Sequence, residues 1–192
     1  MAIFLVIILP LVLLFWGMIH AAPRFWQRVG MAITYSVAFL ALAAATVCLY
    51  LWRGELIGSD LGMNWLLFVP GAALYAICLI IDRNTRRHLD FRTFAGVPEL
   101  KGEAGELLQS GPFGAVRHPR YSMVLLGVFG WCLMINYTGT YLLGVMFTFG
   151  LWLVVQLEER DLRRRFGKAY VAYARRVPQL LPRRDTVGLF LK

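Results

Sequence analysis

Charge is scarce in this chain, and from Tyr121 to Leu157 it is absent altogether. Charged residues make up 16% of the 192 and apolar ones 59%, where a soluble domain carries about 25% charge. Long runs without charge exclude an ordinary water-soluble globule and point to an integral membrane protein. Cysteine is sparse too: Cys48, Cys78 and Cys132 all fall in apolar segments. An odd number without ligand spacing excludes a disulfide framework and a zinc site, and leaves three small buried hydrophobes. No segment is of low complexity or repeats, which excludes a solenoid. The first apolar run has no basic residues ahead of it, so it reads as a retained anchor and not as a cleaved signal peptide.

What is present is five apolar spans. They are expected at about Ala2 to His20, Met31 to Trp52, Trp65 to Ile81, Pro119 to Ile135 and Tyr141 to Leu157, with Pro10 and Pro70 as kinks. The last two are the arms of a hairpin that turns at Asn136–Thr140. About seventeen helical residues span roughly 25 Å, which is short against a hydrocarbon core of about 30 Å. Trp16, Trp26, Trp52 and Trp65 sit near span ends, as an aromatic belt requires. The expected fold is an all-α integral membrane protein of about five transmembrane helices, with a C-terminal helical hairpin and a cytoplasmic amphipathic helical tail. Residues 1–81 hold three spans. Residues 82–192 hold a cytoplasmic segment 82–118, the hairpin 119–157 and a tail 158–192.

The formal net charge of +9 follows the membrane and not a nucleic acid. Nineteen of the twenty Lys and Arg lie in connections that alternate with the spans, and Arg53 alone lies on the other side. By the positive-inside rule the N-terminus is outside and the C-terminus cytoplasmic. Leu162, Phe166, Tyr170 and Tyr173 recur at helical spacing among Arg163, Arg164, Arg165, Lys168, Arg175 and Arg176. They describe a basic amphipathic helix bent at Gly167, and its bland role is to snorkel over anionic lipid.

The hairpin brings two polar clusters together. Pro119 suits the first position of a helix, since its missing N–H would be unpaired there anyway. That helix start offers amides and a positive dipole end, and Arg117 and His118 stand beside it, an arrangement suited to an anion. Alternatively, Arg117 binds lipid phosphate and His118 only caps the span. Glu158 and Glu159 follow the fifth span, at the unfavourable end of its dipole, and need a cationic partner. A salt bridge would satisfy them. A pocket with one cation site and one anion site would suit a zwitterion.

The order Gly-Pro-Phe, Val-Arg-His-Pro-x-Tyr, apolar hairpin, Glu-Glu-x-x-Leu-x-x-x-Phe-Gly-x-x-Tyr-x-x-Tyr and Arg-Val-Pro-x-x-Leu-Pro, over about Gly105 to Pro182, resembles the isoprenylcysteine carboxyl methyltransferase family and its phospholipid methyltransferase relatives. The resemblance implies S-adenosylmethionine as methyl donor. Carried over by motif, the contacts with it are Gly105, Glu106, Leu107 and Leu108 (through backbone), Phe113, His118, Pro119, Arg120, Tyr121 and Glu158. Arg117, Glu159 and Arg176 are candidates for support, and no metal is implied. The resemblance also implies that residues 82–192 are the catalytic region, that the chain, compact like prokaryotic members, sits in a bacterial or archaeal inner or plasma membrane, and that its partners are membrane lipids and a lipophilic or lipid acceptor that enters from the bilayer. Methyl transfer from a sulfonium needs alignment and exclusion of water, and needs a base only if the acceptor arrives protonated. Departures are Met123, expected to narrow the pocket, and Gly114–Ala115 in place of a bulkier pair. Val154 stands where the prenylcysteine enzymes carry an Arg, which argues against a prenylcysteine carboxylate acceptor. The competing readings are a nicotinamide-dependent membrane reductase related to sterol reductases, and a non-enzymatic scaffold. The first is usually larger, and a transporter subunit would show ionisable groups at mid-membrane.

Overall fold

A computed structural model describes residues 2–88, 97–101 and 106–191. In chain order the helices are α1 Ala2–Ala21, α2 Pro23–Val29, α3 Met31–Leu51, α4 Arg53–Ile57, α5 Trp65–Arg86, α6 Val97–Lys101, α7 Pro112–Ala115, α8 Pro119–Ile135, α9 Thr138–Phe166, α10 Lys168–Arg176 and α11 Val187–Leu191. Four helices (α1, α3, α5 and α9) are long and apolar enough to cross a membrane, and α8 is a shorter apolar helix of 17 residues. Among the described residues there is no strand beyond one isolated bridge, Asp60 to Tyr137. The outer faces carry large apolar side chains such as Phe39, Leu40, Leu66, Val69 and Phe149. In water this would be a severe liability; against acyl chains it is the expected surface. The chain is an integral membrane protein.

Local chemistry sets the boundaries. Pro23 opens α2, and Gly30, at φ +91, separates it from α3. The Asn64 side chain caps α5 by accepting from the Leu66 amide at 3.0 Å. Asn136 closes α8 in the left-handed conformation, φ 52 and ψ 52, a position that Asn tolerates better than most residues. Helices α1 and α5 run through Pro10 and Pro70. Helix α9 runs past the end of the apolar run to Phe166, because Glu, Arg and Leu are good helix formers and nothing interrupts until Gly167, at φ +53. The expected bend at Gly167 is therefore a break between α9 and α10.

In lipid, helices associate through close packing and interhelical hydrogen bonds. The most extensive pairing is α5 with α8, and glycine permits it. A Cβ added at Gly71 would lie 2.7 Å from the Gly130 carbonyl oxygen, and one added at Gly130 would lie 2.8 Å from that of Gly71. Helices α1, α8 and α9 share a core of Leu5, Leu9, Val128, Phe147, Leu151 and Val155. Gly130→Val should therefore force the two backbones apart and cost roughly 1–3 kcal/mol, read as a lower Tm in detergent. Gly17→Val, with open space around its Cβ, should change Tm little.

The two ends of the bundle differ. At one end the hairpin turn is tied to the chain before α5. The Leu61 amide donates to Asn136 O (3.1 Å), the Thr138 amide to Ser59 O (3.0 Å) and the Tyr137 hydroxyl to Asp60 Oδ2 (2.9 Å). The other end carries the hairpin's opening, α10 and the tail. There α11 folds back to bury Phe190 against Ile81, Ala115 and Val116. Met123 packs on this same cluster. It does not line the cavity described next, so the narrowing expected of it does not occur.

Candidate active site

The chain before α8 is stitched to the chain after α10. Val177 is extended, as a residue before proline prefers. This presents carbonyls of the tail to the start of α8. The Arg117 amide donates to Pro178 O at 2.8 Å, the His118 amide to Gln179 O at 3.1 Å and the Ser122 hydroxyl to Leu180 O at 2.5 Å. The amides of Tyr121 and Ser122 both donate to His118 O. The open amides expected at this helix start are thus largely engaged, and the dipole end itself is what remains.

Glu159 holds the junction together. Its side chain is 0% exposed. Oε1 accepts from Arg117 Nε at 2.7 Å and from the Tyr170 hydroxyl at 2.9 Å, and His118 Nε2 lies 3.1 Å from it, a donor when that nitrogen carries the proton. Oε2 accepts from Arg163 Nη2 at 2.9 Å. Arg117 in turn donates from Nη1 to the carbonyls of Val177 (2.6 Å) and Ala174 (3.0 Å). One carboxylate thereby joins the approach to α8, the end of α9 and α10. Burial opposes its ionisation, but the hydrogen bonds from His118, Arg117 and Tyr170 outweigh that and hold the carboxyl down at about 2. Burial pushes the Tyr173 phenol up to about 12 and, with help from the Glu159 carboxylate, pushes Tyr170 up as well. Both remain hydroxyl donors, and the Tyr173 hydroxyl donates a hydrogen bond to Phe113 O at 2.6 Å.

Glu158 is one residue earlier and about 100° around the helix, and it faces a cavity. Its Oε2 lies 3.6 Å from His118 Nδ1, too far for a hydrogen bond. That oxygen is buried, with no hydrogen-bond partner among the described residues. Burial opposes ionisation here too. Attraction from His118 and His20, a hydrogen bond from the Tyr121 hydroxyl and attraction from Arg120 together hold the carboxyl below the usual range.

The cavity has an empty volume of about 910 Å³ including its open mouth. Glu106, Leu107, Leu108, Phe113, Pro119, Arg120 and Tyr121 line it together with Arg117, His118 and Glu158. Gly105 lies outside the described residues. Glu159 sits beneath the wall, and Arg176 is on the outer surface, its Nη2 3.3 Å from Gln109 Oε1. Sequence reasoning about the site left out Tyr170 and Tyr173, although both stood in the amphipathic stripe, and also Trp16 and His20 of α1. The Trp16 and His20 rings stack at 5.4 Å and 14°, and the Arg120 guanidinium lies 5.2 Å over Trp16. The i,i+4 spacing of the two rings was the available signal.

Neither the curated proteins nor the solved structures contain a match to this chain. The family model of the phospholipid methyltransferases matches residues 66–169. That stretch is more than half of the chain and contains both arms of the hairpin, His118 to Tyr121 at its opening and the two glutamates at its close. The chain therefore belongs to the phospholipid methyltransferase family and is a membrane methyltransferase acting on lipids.

Proposed function

We propose that the protein transfers a methyl group from S-adenosylmethionine, held in the cavity at the hairpin's opening, to a lipid acceptor that arrives laterally from the bilayer. The observation that carries this reading is Glu158 Oε2, a buried carboxylate oxygen without a hydrogen-bond partner among the described residues, in a cavity lined by aromatic rings. An ammonium group would satisfy it, and the donor's amino-acid end carries one. Phe113, Tyr121, Tyr170 and Tyr173 provide faces for a cationic sulfonium and a flat base. The positive dipole end of α8, with Arg117 and Arg120 nearby, suits the donor's carboxylate. When bound, the donor supplies an activated methyl. The protein's part is to align the partners and exclude water. Glu106, Leu107 and Leu108 line the cavity together with Tyr170 and Tyr173.

In this reading the cavity faces the cytoplasm, where the donor is dissolved, and the Asn136–Thr140 turn faces outward. A reporter fused after Lys192 should be active only on the cytoplasmic side; activity only outside would reverse the topology. The function itself is tested with methyl-labelled S-adenosylmethionine, purified protein and vesicles of mixed phospholipids. The label should enter the organic-extractable lipid, and His118→Ala should abolish most of the transfer. Label confined to the aqueous phase would overturn the lipid acceptor.

A further inference from the structure

One element of the cavity wall is too short to place itself. Helix α7, Pro112–Ala115, is a single turn, and the first turn of a helix fixes several residues for very few hydrogen bonds. It nevertheless carries Phe113, which lines the cavity. The turn has little bulk of its own, since Gly114 has no side chain and Ala115 a single methyl. Its position therefore comes from what packs on it. The bonds to Glu159 fix Arg117 and His118, which follow the turn, and leave the turn itself to other contacts. One is the Tyr173 hydroxyl, from the cavity's own lining, on Phe113 O.

The other support is α11, which packs on α7 and α5 and lines no part of the cavity. Phe190 is its buried side chain; Val187, Leu189 and Leu191 stay exposed. The Phe190 ring joins the fully buried Ala115 and Val116 to Ile81, at the end of the third apolar span. A Cβ added at Gly114 would lie 3.8 Å from Leu189 Cδ1, so α11 rests on the bare side of the turn. The amides of Leu189 and Phe190 both donate to Thr186 O, at 3.0 and 3.3 Å, and the Thr186 amide donates to Arg183 O at 3.0 Å. Those bonds fasten α11 to the segment that is stitched onto α8 at Pro178–Leu180. One large ring thus fills the space that Gly114 and Ala115 leave, as a close-packed interior requires.

We infer that Phe190, outside the family-matched stretch of residues 66–169, is a positioning residue for the methyl donor: it seats α7 and thereby holds Phe113 at the cavity. This role rests on the methyl-transfer reading above. Phe190 touches no ligand and acts through the turn. Without its ring the vacated space is only partly refilled by its surroundings, α7 settles into it, and Phe113 withdraws from the cavity. His118, Tyr121 and Glu158 keep their places, so a donor that does bind is still aligned with its acceptor. The loss falls on donor affinity and spares the transfer step.

The test uses the whole protein in detergent, and its first two readouts need no acceptor. In Phe190→Ala the amides of Phe113, Gly114 and Val116, bonded to the carbonyls of Ser110, Gly111 and Pro112, should exchange hydrogen faster, with those of α9 unchanged. Calorimetry with S-adenosylhomocysteine should show at least about tenfold weaker binding, at wild-type stoichiometry. Phe190→Leu, which restores most of the volume, should recover to within about threefold, and Leu191→Ala, at an exposed position of the same helix, should stay within about twofold of wild type. With vesicles of mixed phospholipids, KM for S-adenosylmethionine should rise at least about tenfold in Phe190→Ala and kcat stay within about threefold. A merely structural role gives the reverse pattern, because unfolded protein lowers stoichiometry and kcat and leaves affinity and KM unchanged. If wild type fails to bind S-adenosylhomocysteine, the donor reading fails and this role falls with it. If wild type binds and Phe190→Ala binds equally well, or if exchange in α7 is unaltered, the positioning role alone is overturned. Should Phe190→Ala not fold, Phe190→Val decides the same point by the same measurements.

Discussion

Glu159→Ala should unfasten the site end of the molecule, lowering Tm in detergent and abolishing binding of S-adenosylhomocysteine together. The carboxylate accepts from Arg117, Tyr170 and Arg163 and faces His118 Nε2, all within 3.1 Å. Removing one partner of a buried charge pair leaves the others desolvated and unpaired, which costs about 3–5 kcal/mol. The loss is not confined to one contact, because Arg117 also carries the carbonyls of Ala174 and Val177. Once Arg117 moves, the Pro178–Leu180 stitch to α8 loses its neighbour. Acid should act later than it does on an ordinary carboxylate. The group's folded-state value, about 2, is depressed below its unfolded value of about 4.3. Its stabilising contribution is therefore present above the unfolded value and is lost as pH falls toward about 2. A Glu159→Ala protein with wild-type Tm would show that the network is ornamental.

Glu158→Gln should give the opposite pattern: a nearly unchanged Tm with binding of S-adenosylhomocysteine weakened by roughly 10- to 100-fold. Its side chain is 26% exposed, its Oε2 has no hydrogen-bond partner among the described residues, and glutamine keeps an oxygen to accept from the Tyr121 hydroxyl, so little of the fold hangs on its charge. A hydrogen bond from an ammonium to this oxygen would contribute about 1.5–3 kcal/mol, and each 1.4 kcal/mol is tenfold in affinity. Calorimetry on the variant reads the loss directly, and unchanged affinity would remove Glu158 from the donor site. Adjacent glutamates with opposite phenotypes, one affecting fold and binding and the other binding alone, are what the helical phase of α9 dictates.

That division was only half legible in the sequence. Two acids at the unfavourable end of a helix need cationic partners, so the requirement was readable; which acid turns inward depends on how α9 is rotated, and α9's rotation is set by Leu151 and Val155 packing on α1 and α8. The hairpin itself was plain, because a charge-free run bounded by polar clusters and broken by Asn-Tyr-Thr-Gly-Thr has few other solutions. The His118–Tyr121 segment was readable from Pro119 and the charges beside it. Trp16 and His20 were hidden by their own helix. In so apolar a run, His20 reads as the end of a span, and only the packing of α1 on α9 brings it to Asp161. Gly71 and Gly130 gave no local sign either, since the need for glycine comes from a neighbour nearly sixty positions away. Phe190 seals the cluster around Ile81 from a stretch whose sequence showed no regular period.

The central claim is that the cavity at the hairpin's opening holds the methyl donor. The most direct measurement is isothermal calorimetry of wild-type protein in detergent, titrated in parallel with S-adenosylhomocysteine and with NADPH. The account predicts saturable one-to-one binding of S-adenosylhomocysteine, sensitive to Glu158→Gln, and no heat of binding for NADPH. Binding of NADPH with none of S-adenosylhomocysteine would contradict it.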